Sequence, residues 1–171
     1  MGLLRRRGGD DGTKYQMREK MFAVGDDFWI ENGEGERAFK VNGKALRVRD
    51  TFVLEDASSG AELYKIQEKK LSIRDKMEIE RGGATVATVK KALITPLRDR
   101  FSIEVEGGED MEAKGNIVDH EYEVERDGDK VAEVSKRWFR VRDTYGIEIA
   151  PDQDDALILA VSVCIDQMAS G

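Results

Sequence analysis

The chain has 171 residues, 28 basic and 35 acidic, with a net charge of -7 and 40% hydrophobic content. That is enough for one closed core in a single domain, and the interspersed acidic excess disfavours nucleic acid as a partner. The single cysteine, Cys164, excludes an internal disulfide, and no apolar run reaches the roughly 20 residues of a transmembrane segment, so a cytoplasmic protein, at most peripheral to a membrane, is expected.

Residues 1–13 read as a flexible arm, with Arg5, Arg6 and Arg7 followed by Gly8, Gly9, Asp10, Asp11 and Gly12, and without a signal-peptide or myristoylation pattern. Residues 14–171 form the domain. They carry an internal repeat in which an apolar residue, one further residue, Asp, another residue and then apolar-x-apolar recur. It appears at Val24 to Ile30, Val48 to Leu54, Ile73 to Ile79, Leu97 to Ile103 and Val141 to Ile147. The aligned aspartates Asp26, Asp50, Asp75, Asp99 and Asp143 are spaced 24, 25, 24 and 44 residues apart, and the long gap holds a degraded copy at Ile117 to Val124.

Each unit predicts two short strands, because apolar and charged residues alternate in stretches such as Leu63-Tyr-Lys-Ile66 and Tyr122-Glu-Val124. Asn32-Gly33, Asn42-Gly43, Gly82-Gly83, Gly107-Gly108 and Asp127-Gly-Asp129 supply the turns between them. Before Pro151, only Lys90-Lys-Ala-Leu-Ile94, ahead of Pro96, suggests a short helix.

The last predicted element is a helix from Ala156 to Met168, in which Leu157, Ile158, Leu159, Val161, Val163 and Ile165 leave no useful polar face. Pro151, Asp152, Asp154 and Asp155 supply its start, and Asp166 and Gln167 are expected to end the apolar run in water. Twelve strands exceed the roughly eight whose own side chains fill a barrel, so the barrel needs a plug. The helix is the candidate, and burying its large side chains contributes roughly 10 to 20 kcal/mol gross. The predicted fold is mainly β, an antiparallel closed barrel of about twelve strands around a buried C-terminal α-helix.

Tyr15-Gln-Met-Arg-Glu-Lys-Met-Phe-Ala-Val-Gly-Asp-Asp-Phe-Trp-Ile30, the repeated Arg-Asp hairpins and the final apolar helix together resemble the LURP-one-related proteins over about residues 14 to 168. The resemblance implies the tubby C-terminal-like fold and a distant relation to tubby and to phospholipid scramblases. It implies no established activity for bacterial members; plant members are linked to defence, and tubby domains bind phosphoinositide head groups. No lipid-contacting residue is carried over from it.

The residues themselves offer no catalytic set, metal site or cofactor. His120 reads as a surface or partly buried imidazole, because Asp119 and Glu121 alternate away from it along a strand and no second His or Cys is spaced to join it. Cys164 reads as core, in an apolar setting that suppresses its thiolate. Arg49, Arg74, Arg98 and Arg142, from equivalent repeat positions, are expected at one barrel rim, each neutralised by the Asp that follows.

The best ligand-binding candidate is Lys136-Arg-Trp-Phe-Arg-Val-Arg142, where strand alternation puts Lys136, Trp138, Arg140 and Arg142 on one face, with Lys90 and Lys91 as an extension if their strand is near. Cations around an indole suit an anionic lipid surface or a phosphate-bearing ligand. The reading is a non-enzymatic tubby-like module that binds such a surface peripherally. The alternative is a protein-protein interaction or scaffold module without lipid binding.

Overall fold

The computed structural model describes residues 12–18, 27–42, 51–68, 76–92, 99–138 and 142–170. The strands are β1 Thr13–Arg18, β2 Phe28–Asn32, β3 Arg37–Asn42, β4 Thr51–Asp56, β5 Glu62–Glu68 and β6 Lys76–Arg81, then β7 Ala84–Lys91, β8 Asp99–Val105, β9 Met111–Asn116, β10 Glu121–Arg126, β11 Asp129–Ser135 and β12 Thr144–Ile149. Each strand pairs antiparallel with its sequence neighbours. β1 seals the barrel against β12, in register from Thr13 opposite Ile149 to Arg18 opposite Thr144.

Period-two alternation drives this wall, as in β6, where Met77 and Ile79 are buried and Lys76, Glu78 and Glu80 are partly exposed. The same alternation in β7 buries Ala87 and Val89 and carries Lys90 and Lys91 within the strand, which corrects the short helix suggested there; residues 93–98 lie outside the described ones. Short turns link β2, β4, β6, β8 and β10 each to the strand that follows. Gly82 and Gly83, at φ 60° and 84°, form the two-residue turn between β6 and β7. Asp56 closes the next hairpin back by accepting N–H donors from Ser58 and Ser59 at 2.9 and 3.0 Å. Those hydrogen bonds, the Ser59 backbone donor foremost, hold its pKa down at about 2.

The repeat recurs in three dimensions. In every unit a buried apolar residue is followed by a glutamate on the other face of the strand: Ile30-Glu31, Leu54-Glu55, Ile79-Glu80, Ile103-Glu104, Val124-Glu125 and Ile147-Glu148. The ladder shifts register at four of these steps, after Ile30, Leu54, Ile79 and Val124, which is the local kink of a bulge. Lysines of the adjoining strands meet several of these glutamates, with Lys90 to Glu104 at 2.9 Å, Lys114 to Glu125 at 2.9 Å and Lys14 to Glu148 at 3.9 Å. Such exposed pairs contribute little stability, ~0–1 kcal/mol each. They do give the outer wall charge where a transmembrane barrel presents an apolar band.

The helix α1, Asp155–Ser170, fills the interior. Ile158 to Asp166 are all buried, and they pack on the inward residues of the strands, among them Phe52, Tyr64, Met77, Phe101, Tyr145 and Ile147. Asp154 caps the helix by accepting the Leu157 N–H at 3.1 Å, whereas Asp152 sits earlier, in a turn at φ 64°. No helix among the described residues is long and apolar enough to cross a membrane.

A helix apolar on all sides has no preferred rotation, and polar contacts to the wall supply one. At the N-terminal end Tyr15 donates to Asp155 at 2.6 Å, Tyr64 donates to Asp154, and Arg126 donates to Gln153 at 2.7 Å. Deeper in, Ser162 meets the Tyr122 hydroxyl at 3.2 Å. Asp166 is 5% exposed, not in water as expected, and its carboxylate lies 2.8 Å from His120.

Candidate functional site

β11 stops at Ser135 because the side chains around it offer the backbone a better arrangement than the ladder. The Ser135 hydroxyl accepts the Arg137 N–H at 3.1 Å and donates to Glu121 at 3.0 Å, and the same carboxylate accepts the Lys136 N–H at 3.2 Å. Lys136–Trp138 therefore form a single 3-10 turn, and the strand expected to carry Lys136 and Trp138 on one face is not formed there. Lys136 and Arg137 are exposed, with Arg137 3.6 Å from Glu121. Trp138 is half-buried in a turn that packs against β12, with the Lys14 ammonium 5.1 Å from its ring centre. Arg142 is exposed in the same β11–β12 connection, and Arg140 lies outside the described residues.

The structure does not bring Lys90 and Lys91 to this place. β7 lies four steps from β11 around the barrel, roughly 19 Å of wall at ~4.8 Å per step, and Lys90 is paired with Glu104. Of the expected arginine rim, Arg49, Arg74 and Arg98 lie outside the described residues, while Arg142 precedes Asp143, which takes a positive φ of 59°.

A second aromatic and cationic group escapes a reading of single stretches. Trp29 points outward from β2, between the buried Phe28 and Ile30, and remains 39% exposed. Arg37 and Lys40 of β3 approach its ring to 4.5 and 5.5 Å, and Lys40 also reaches Asp27 at 3.3 Å. From β1, the Arg18 guanidinium lies 5.1 Å from the Phe28 ring. The signal for this cluster is the Asn32 turn. Its side chain accepts the Glu34 and Glu36 N–H groups at 2.9 and 3.0 Å and so fixes the hairpin register that sets Trp29 opposite Lys40. Because β12, β1 and β2 are consecutive in the wall, both tryptophans of the chain occupy one sector of it.

The histidine and the cysteine are occupied inside the fold. His120 is buried in the turn before β10 at φ 54°, stacked on Tyr145 at 4.3 Å, which corrects both its strand placement and its expected exposure. Its chain neighbours stay apart from it as expected, since Asp119 hydrogen-bonds Asn116 and Glu121 serves Ser135. Burial pushes the Cys164 thiol well above its ordinary pKa, an environment opposite to that of a nucleophile. Burial likewise raises the Tyr15, Tyr64 and Tyr122 phenols, and it raises Asp155 against the lowering effect of the Tyr15 hydrogen bond. Among the described residues no group of three or more His, Cys, Asp or Glu is arranged to hold a metal ion.

The chain is 32% identical over 153 residues to the uncharacterized protein YxjI of Bacillus subtilis (strain 168), an alignment covering 89% of this chain and 91% of that one. It is 25% identical over 170 residues to protein LURP-one-related 15 of Arabidopsis thaliana, covering 89% and 77% of the two. An X-ray structure of an Arabidopsis thaliana protein superposes with a TM-score of 0.67 over 94% of both chains at 19% identity, which shows a shared fold. The sequence pattern of the LURP-one-related family spans residues 13–166, the barrel strands and the first twelve of the sixteen residues of the plug helix, and the chain belongs to that family.

Proposed function

We propose that this barrel is a non-enzymatic binding module that docks peripherally on an anionic, phosphate-bearing surface through its β11–β12 connection. The observation that carries this reading is the 3-10 turn, which leaves Lys136 and Arg137 exposed beside a tryptophan, with Arg142 exposed in the same connection. Cations near an anionic bilayer each contribute ~1 kcal/mol, and an indole suits the headgroup layer. Glu121 and Glu148 offset part of this charge, so weak, salt-dependent docking is what the surface supports.

Sedimentation with phosphatidylcholine vesicles, with and without phosphatidylserine, tests it. Binding is expected only with phosphatidylserine, falling as salt rises. In a folded Lys136→Gln, Arg137→Gln, Arg142→Gln variant it should drop by on the order of a hundredfold, from roughly 3 kcal/mol for three cations. Equal behaviour on neutral and anionic vesicles would instead favour a protein partner.

A further inference from the structure

We infer that Trp29, with Arg37 and Lys40, is a second contact of the same docking face, the indole entering the headgroup layer while the two cations meet lipid phosphates. This rests on the membrane-docking reading above and adds to it a site from different strands. The argument begins with the repeat. Trp29 stands immediately before the buried apolar residue that precedes the glutamate of its unit, and the equivalent positions in the other units are Val53, Glu78, Ser102, Glu123 and Gly146. Those five units build their wall with small, aliphatic or acidic side chains at this point, so barrel construction does not call for an aromatic there.

The environment of Trp29 fits a headgroup layer. The residue keeps 39% exposure even with Arg37 at 4.5 Å and Lys40 at 5.5 Å from its ring, and among the described residues the only other large hydrophobic left exposed is Val118. A guanidinium or ammonium held against an indole still directs N–H donors outward, and phosphate accepts such donors, Arg bidentately. An indole with one apolar and one polar edge is favoured at the depth where acyl chains give way to phosphates. Asp27 shares Lys40, which makes the contact weaker than two unpaired cations would be and sensitive to salt. Only β1 separates β2 from β12, against which the Trp138 turn packs, so one approach of a flat surface to this sector reaches both tryptophans.

The chain has two tryptophans, so Trp138→Phe leaves Trp29 as its only indole and Trp29→Phe leaves Trp138. Each single-tryptophan variant of the full chain is mixed at low salt with phosphatidylcholine vesicles, with or without phosphatidylserine and carrying bromine-labelled acyl chains. The expected result is a blue shift and bromine quenching of Trp29 emission with phosphatidylserine only. Arg37→Gln with Lys40→Gln, at an unchanged thermal midpoint, should lower vesicle affinity about tenfold. Sedimentation with phosphatidylserine vesicles while Trp29 stays unquenched overturns this inference and leaves the docking reading in place. Failure to sediment with those vesicles at all overturns both. A Trp29 shift on adding an acidic peptide, with none on vesicles, overturns the lipid assignment and gives the patch to an acidic protein partner.

Discussion

His120 Nε2 lies 2.8 Å from Asp166 Oδ1 inside the barrel, joining the turn before β10 to the last turns of the plug helix across 46 residues of sequence. Ser162, one helical turn earlier, meets Tyr122 of β10 itself, so the helix presents a narrow polar stripe to β10 and the turn before it. Asp166→Ala leaves a buried imidazole facing an apolar gap and should destabilise the protein by about 3 kcal/mol, whereas His120→Gln, which keeps a hydrogen-bonding side chain, should cost less. Urea unfolding measures both. Wild-type midpoints for both variants would show that this contact does not orient the helix.

The plug itself can be challenged directly. Leu159 has no exposed surface, and an aspartate there would bury a charge among apolar side chains. Leu159→Asp, and deletion from Asp155 onward, should each abolish cooperative folding. Soluble truncated protein with a sharp thermal transition would refute the plug.

Gly115 in β9 sits at φ 138°, opposite Tyr122, where an added Cβ would stand 2.8 Å from the Glu121 oxygen and 2.8 Å from Tyr122 Cα. Gly128 also has a positive φ, 84°, but a Cβ there meets open space. Gly115→Ala should therefore cost about 3 kcal/mol or more through clash added to backbone strain, and Gly128→Ala only about 1 to 2 kcal/mol. Denaturation midpoints of the pair provide the comparison, and equal losses would contradict it.

Alkaline pH should weaken the fold. Burial raises the folded pKa of Cys164 above its ordinary 9.0 and that of Tyr122 above its ordinary 10.0. The unfolded chain therefore releases protons that the folded chain retains. The stabilisation is complete below the unfolded pKa values and is lost as pH rises through the folded ones, by up to ~1.4 kcal/mol per pH unit per group. The urea midpoint should be level from pH 7 to 8 and fall from about pH 9 upward, less steeply in Tyr122→Phe. A flat midpoint to pH 11 would show that these groups ionise freely in the folded state.

Much of the barrel is legible along the chain because its information is local. The Asp-centred repeat predicts six units and twelve strands, and the run from Ile158 to Ile165 predicts a helix that something must surround. What could not be read depends on partners distant in sequence. Asp166 looks like a helix end facing water until His120 is placed beside it, and Trp29 looks like a barrel residue until the hairpin brings Arg37 and Lys40 to its ring. Lys136 to Trp138 failed for another reason. Their alternation is a true strand pattern, and it is overridden by the hydrogen bonds of Ser135 and Glu121, the latter from the neighbouring strand.

The seam between β1 and β12 pairs Thr13 with Ile149, so the ring closes between segments 136 residues apart. During synthesis, then, the first strand waits for the other eleven, and the element that fills the ring, Asp155–Ser170, emerges only after all twelve. Every nascent intermediate carries unpaired strand edges and an open apolar trough, the features that slow folding and invite aggregation. A chain interrupted before the helix is therefore not a smaller working module but a client for chaperones or proteases.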